Sequence, residues 1–301
     1  MSRNVPLWKK ASSCSALNEN PKKMKTQTLP LLTLLLLAAC SNPSTEPMPP
    51  PPTKDTVATT PPAERPDVVA PSDATIKLVM TPPAAQFPDA DLKLDTLIPN
   101  NKKMEAEYKF TVNGFELKAQ TPDAGTRGCA NSKDGQHIHF ILNNAPYKAE
   151  YNSDFTEKAN PGRNVALCFL SRSYHESLKS NKAVVVKEFT MPGKDSLMAG
   201  DMAKDPTLFY SRPKGDYKQL DGDKILLDFY LLNTDLADNG YSVRATIDGK
   251  VWTINKWDAY FIEGLELGKH TVRLELVDGN GNLVPGPFND SGVREFNYLG
   301  S

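Results

Sequence analysis

The chain of 301 residues has only four cysteines, four histidines and three tryptophans, and no apolar run long enough to span a bilayer comfortably. It also lacks paired carboxylates at a convincing spacing, a Ser-His-Asp order with a nucleophile elbow, and a glycine loop that would cradle phosphate. The acidic stretches "DGNG" and "DADLKLD" are too short and wrongly spaced for an EF-hand loop. With these signatures missing, we read the protein as not an enzyme. A basic excess is missing too: 35 basic residues face 36 acidic ones. Residues 1–39 hold six basic and one acidic, so removing them leaves 29 against 35, a net charge of −6. Such a body is a poor electrostatic match for nucleic acid or an anionic membrane surface.

What is present begins with "MKTQTLPLLTLLLLAACS" from Met24, in which a basic start precedes a short apolar run from Leu31 to Ala39 and then Cys40. A basic n-region, an apolar h-region and small residues before the cut describe a secretory signal peptide. Leu37-Ala38-Ala39-Cys40 resembles a bacterial lipobox, which implies cleavage before Cys40 and a diacylglyceryl group on its sulfur. Residues 1–23, with Cys14, are expected to lie upstream of the true start. The next segment is rich in proline, serine and threonine and has almost nothing large to bury, so residues 40–74 read as a tether. The expected organisation is therefore residues 1–39 as extension and signal, 40–74 as tether, 75–195 as a first domain and 196–301 as a second.

Those two domains read as copies of one unit. At an offset of 105 residues, "GQHIHFILNNAPY" from Gly135 lies over "GYSVRATIDGKVW" from Gly240, and "NVALCFLS" lies over "KHTVRLEL". Fixed-period self-similarity outweighs any single motif. Ile138, Phe140 and Leu142 alternate with His137, His139 and Ile141, as Val243, Ala245 and Ile247 alternate with Ser242, Arg244 and Thr246. Period-two alternation indicates strands, and Asp248-Gly249 is a hairpin signal. With about a hundred residues per unit and no long helical periodicity, the fold class is all-β: two tandem immunoglobulin-like β-sandwiches.

The duplication pairs His137 and His139 with Ser242 and Arg244, which puts both histidines on a polar outer face. In "VALCFLS" the same alignment turns Leu167 and Phe169 inward and Cys168 outward, toward the histidines. Cys129 and Cys168 are the cysteines left once Cys14 and the lipidated Cys40 are set aside, and outside the inner membrane they are expected to form a disulfide. The competing reading is a zinc or copper site on His137, His139 and Cys168, because imidazole and thiolate suit those ions.

The run "GRNVALCFLSRSYHES" from Gly162 resembles the opening signature of forkhead-associated domains. That resemblance implies phosphate contacts from Arg163 and Ser171 or Arg172, with His175 as a brace; a polar loop between strands is the reading we prefer. More widely, residues 84–300 carry "ELKAQTPDA", "CANS", "GQHIH", "FLSRSYHES", "LFYSRPKGDY", "DFYLLNTDL" and "GNGNLV". On these the chain resembles a family of bacterial lipoproteins often labelled phosphopeptide-binding protein, a resemblance that imports no established activity. The expectation is a binding or scaffolding protein of the bacterial envelope, lipid-anchored to a membrane (the outer one, facing periplasm or surface), with a protein or peptide partner and no nucleic acid. Replacing Cys40 by Ser should move the protein from the membrane pellet to the soluble fraction; continued pelleting would remove the lipid anchor from this account.

Overall fold

The computed structural model describes residues 66–300 apart from 74, 223, 238 and 239. The signal segment, Cys40 and most of the tether lie outside the described residues. Two short strands come first, Val68–Val69 (β1) and Lys77–Met80 (β2). A first set follows: Asp91–Asn100 (β3), Glu105–Asn113 (β4), His137–Leu142 (β5), Lys148–Glu150 (β6), Asp154–Lys158 (β7), Gly162–Ser171 (β8) and Val184–Met191 (β9). The second set begins with Thr207–Arg212 (β10), Gly215–Lys218 (β11), Ile225–Leu232 (β12) and Ser242–Ile247 (β13). It ends with Lys250–Ile254 (β14), Tyr260–Glu263 (β15), Gly268–Val277 (β16) and Arg294–Leu299 (β17).

The first set forms sheets ordered β3-β4-β7 and β6-β5-β8-β9; the second forms β10-β12-β15-β2 and β1-β14-β13-β16-β17-β11. Each pair of sheets closes on its own apolar core. In the first, Leu92, Tyr108 and Phe110 of one sheet meet Ile138, Phe140 and Leu170 of the other. In the second, Leu208, Leu227 and Phe229 meet Val243, Trp252 and Leu274. The fold is thus two immunoglobulin-like sandwiches in tandem. The strands β1 and β2 depart from the expected boundaries, for both pair with strands of the second sandwich, β1 with β14 and β2 with β15. The tether expected to reach residue 74 is therefore already sheet at Val68, and residues 77–80 do not belong to the first domain.

The duplication is visible in the strand order. β5 lies between β6 and β8 as β13 lies between β14 and β16, and β7 pairs with β4 as β15 pairs with β12. The register slips within this match. In the first copy Phe140 faces Cys168 across the ladder, whereas in the second Ala245 faces Leu274. Cys168, not Phe169, is the counterpart of Leu274. Likewise Lys148 lies opposite Phe140, while Trp252 lies opposite Ala245, so Tyr147 is not the counterpart of Trp252. The two-residue turn at Asp248 (φ 46°) and Gly249 (φ 80°) has a longer equivalent through Asn143 (φ 52°) and Asn144 (φ 57°). A one-residue slip exchanges the faces of a strand, and here it reverses what the alignment implied for β8.

That reversal removes the expected disulfide. Cys168 points into the first sandwich beside Phe140, while Cys129 packs with Tyr174, Leu226 and Phe261 in a separate cluster. Both are free, buried thiols. Burial pushes the Cys129 thiol up to about 11 and the Cys168 thiol higher still, so neither offers a thiolate at neutral pH.

The outer face of β6-β5-β8-β9 is not outer at all. Ile141, Val165, Leu167 and Phe169 pack against Met202, Phe209, Tyr230 and Phe288. The Phe169 and Tyr230 rings lie stacked at 5.1 Å between centroids. The central strands of two sheets are therefore buried on both faces, which explains why "ILLDFYLL" reads as a nearly continuous apolar run. Phe140 and Leu274 are both buried in their respective cores. Alanine at either should cost about 2–5 kcal/mol through lost transfer energy and cavity formation, read as a lowered midpoint in urea unfolding with an unchanged slope.

Candidate metal centre

Strand geometry sends His137 and His139 to the same side of β5, and that side faces the second sandwich. Both are fully buried, at 0% exposure, instead of lying on a solvated face as their pairing with Ser242 and Arg244 had suggested. The third member comes from the loop after β8. Because His137 pairs with Ser171 across the ladder, the chain leaving Ser171 turns back over the end of β5. The turn is tight: Arg172 N–H donates to the Glu176 carbonyl at 2.9 Å and His175 N–H to the Arg172 carbonyl at 2.8 Å. His175 adopts φ 69° at its tip, in the left-handed region that costs a non-glycine residue energy. Buried ion pairs of Glu176 with Arg127 (2.7 Å) and Arg172 (3.3 Å) brace it from behind.

The result is a cluster in which one ligand nitrogen from each of His137, His139 and His175 lies within 4.8 Å of the other two. His137 Nδ1 donates to the Gly135 carbonyl at 2.8 Å, so its Nε2 carries a lone pair and points at His175 Nδ1, 3.1 Å away. Gly135 itself is required: it has φ 82°, and a Cβ there would lie 2.2 Å from the Lys118 carbonyl oxygen. His139 Nδ1 meets the Ser211 hydroxyl at 3.2 Å, across the boundary between the sandwiches. Its Nε2 is buried with no hydrogen-bond partner. The Tyr147 ring stacks on His139 at 3.8 Å, and its hydroxyl reaches His175 Nδ1 at 3.4 Å. Outer partners that fix ring orientation while leaving the second nitrogen unprotonated are what a ligating histidine needs.

The electrostatics keep all three rings neutral. Burial pushes His137 down to about 4, with Arg212 adding to the effect against the pull of the Gly135 carbonyl. His139 and His175 are held well below the usual histidine range, first by burial and then by each ring's histidine neighbours, Arg212 and Lys214. Three neutral imidazoles suit zinc or copper and leave a fourth position in a tetrahedral set.

The structure assembles a different set from the one the sequence suggested. His137 and His139 are in place, but Cys168 lies on the opposite face of the sheet and His175 takes the third position. The forkhead-associated resemblance does not survive the geometry. Arg163 and Ser171 stand at opposite ends of β8, about 26 Å apart at roughly 3.3 Å per residue. Arg163 binds Glu188 and the Met198 and Gly200 carbonyls. Arg172 is buried on the Ala85 and Ser177 carbonyls, and the Ser171 hydroxyl donates to the Arg172 carbonyl. Tyr147, Ser211 and Arg212 were not singled out by sequence. Tyr147 could have been found from its hairpin with β5; Ser211 and Arg212 arrive from the other sandwich and carry no local signal.

No protein-family model matches the chain, and no curated protein matches it either. Among solved structures, the fibronectin(III)-like modules of Clostridium thermocellum CbhA are 10% identical, with 69% of this chain and 94% of that one covered, at a TM-score of 0.24. The central fibronectin-III array of RIM-binding protein is 9% identical over 73% and 72%, at 0.23. SGBP-B of the Bacteroides ovatus mixed-linkage glucan utilization locus, solved with a mixed-linkage heptasaccharide, is 11% identical over 70% of each chain, at 0.19. The sandwich assignment rests on the sheets and cores described above.

The buried rings make the metal-free protein sensitive to acid. Above the ordinary histidine value of 6.5 folded and unfolded chains both carry neutral rings, and titration contributes nothing. Between 6.5 and about 4 the unfolded chain binds a proton that folded His137 refuses, so stability falls as pH falls. His137 alone should cost about 3 kcal/mol by the bottom of that window, with His139 and His175 acting in the same direction. Urea midpoints followed across this range should decline, and His137→Gln should flatten the decline.

Proposed function

We propose that this protein is a metal-holding lipoprotein of the bacterial envelope, with zinc or copper bound by His137, His139 and His175. The observation that carries the reading is the convergence of one imidazole nitrogen from each of three histidines within 4.8 Å, together with a His139 Nε2 that is buried and without a partner. A lone histidine in a core is satisfied by a neighbour, whereas an orphaned buried nitrogen costs free energy until something binds it. The second-copy counterparts of the strand pair, Ser242 and Arg244, offer no such donors, so the three candidate ligands all come from the first sandwich.

Holding, not turnover, fits the surroundings. Cavities of about 600, 430 and 620 Å³ are lined by other residues, and none of these three includes a histidine. The envelope location is supported by the Leu37-Ala38-Ala39-Cys40 run and the proline-rich segment that follows it. Beyond the inner membrane the lipid and its tether would fix the two sandwiches near a bilayer, and a bound ion would hold the His175 loop against β5.

Titration of the purified chain with Zn(II) and Cu(II), followed by elemental analysis, should give one ion per chain. His137→Ala and His175→Ala should each weaken binding by about a hundredfold or more, since losing even an outer partner of a ligand costs about ten- to a hundredfold, while Cys168→Ala leaves it unchanged. Loading that persists without all three histidines would defeat the proposal.

A further inference from the structure

Arg212 is the anomaly of this region. It is 5% exposed, and its Nε and Nη1 are buried with no hydrogen-bond partner. Arg127 and Arg172 close on Glu176, Arg273 on Asp290 and Arg244 on Glu275, whereas half-buried Arg294, whose Nε is also unpartnered, donates to the Asn144 carbonyl. Among the described residues no carboxylate lies within ion-pair distance of Arg212. Its neighbours are rings, with the guanidinium carbon 5.2 Å from the Tyr217 centroid and 5.7 Å from that of Tyr147. Cation–π contacts offset only part of the cost of taking an ion out of water.

The same group stands beside the three histidines. Ser211, the preceding residue, holds His139 Nδ1, and the Tyr147 ring that Arg212 overlooks is the one stacked on His139. Lys214 adds a second cation, 4.1 Å from the Tyr147 centroid and bonded to the Tyr147 carbonyl. A divalent ion on three neutral rings would bring two further positive charges into a buried region with no acidic ligand. Repulsion between buried like charges is costly, and three histidines leave the fourth metal position open. One addition answers the two unpartnered guanidinium nitrogens, the charge excess and the open position together.

We infer that the three-histidine site takes up its metal together with a small monoanion, a halide or a compact carboxylate-type oxyanion, which fills the fourth metal position and is held by Arg212. The inference rests on the three-histidine reading. It makes metal affinity depend on the anion supplied, and it gives Arg212 a binding role although it donates nothing to the metal.

The test uses Co(II) as a visible probe, with azide as the anion and methanesulfonate as the weakly coordinating control. Azide should tighten Co(II) binding to the full chain by about tenfold or more, equivalent to about 1.4 kcal/mol, and shift the cobalt absorption bands. In Arg212→Met the azide effect should shrink to about twofold or less, and Co(II) should bind more tightly than to the parent in methanesulfonate, because a buried like charge is gone. If Arg212→Met does not fold, Arg212→Lys takes its place, with a reduced azide effect expected. Co(II) binding that ignores azide in the parent, or an azide effect undiminished in the Arg212 variant, overturns the anion and leaves the three-histidine site standing. Failure of Co(II), Zn(II) and Cu(II) to bind in either salt overturns both.

Discussion

The central strands of the sheet β6-β5-β8-β9 are buried on both faces, and most of what is distinctive in the molecule depends on that. An isolated immunoglobulin-like sandwich keeps one face of each sheet in water. Here Phe169 and Leu167 turn that face apolar, and the second sandwich covers it with Phe209, Tyr230 and Phe288. The histidines share the covered face, so water is excluded from them, their protons are shed, and their free nitrogens must find partners inside the protein. A polar cluster exposed to solvent would need none of this. The two halves are joined through a hydrophobic seam, with the polar cluster set into it.

Much of the fold is legible in the sequence. Alternation in "HIHFIL" and "SVRATI", the Asp248-Gly249 turn and the offset of 105 residues identify strands, hairpins and the duplication, because these are local or periodic properties. What misled was spacing. The first hairpin is one residue longer than the second, Phe140 to Lys148 against Ala245 to Trp252, but the stretch that follows is two residues shorter, Lys148 to Cys168 against Trp252 to Leu274. An ungapped comparison cannot see the net slip of one residue, which decides the core face of β8, so Cys168 and Phe169 exchange roles and the expected disulfide and cysteine ligand fail with them. Covering of the second face was harder to read, since it depends on residues some sixty positions away. The continuous apolar run "ILLDFYLL" was its trace in the sequence.

The site shows the same division. His137 and His139 were found because their spacing is a local fact about one strand. His175 was noticed for another reason, as part of a partial motif, and joined the site only once the pairing of His137 with Ser171 was known. Arg212 illustrates a limit of reading charges as surface. An arginine near Pro213 and Lys214 in sequence looks like an ordinary solvated turn, yet packing between Tyr147 and Tyr217 withdraws it from water. Charge balance in this seam cannot be judged from the overall composition, because nearly equal totals conceal an arginine with no carboxylate at ion-pair distance, while Asp228, opposite it across the β10–β12 ladder, is held by Lys179 and Ser177.

The placement of β1 and β2 has a mechanical consequence. Both ends of the described chain, β1 at Val68 and β17 at Leu299, belong to the second sandwich, and the first is threaded between β2 and β10 like an insertion. A pull applied between those ends acts first across the pairs β1–β14 and β2–β15. Tension reaches the first sandwich only after β2 has been stripped from β15. The second sandwich therefore acts as a strain relief for the first, and a tug on the segment before residue 66 would be absorbed by the strands β1 and β2 before it could disturb the three histidines.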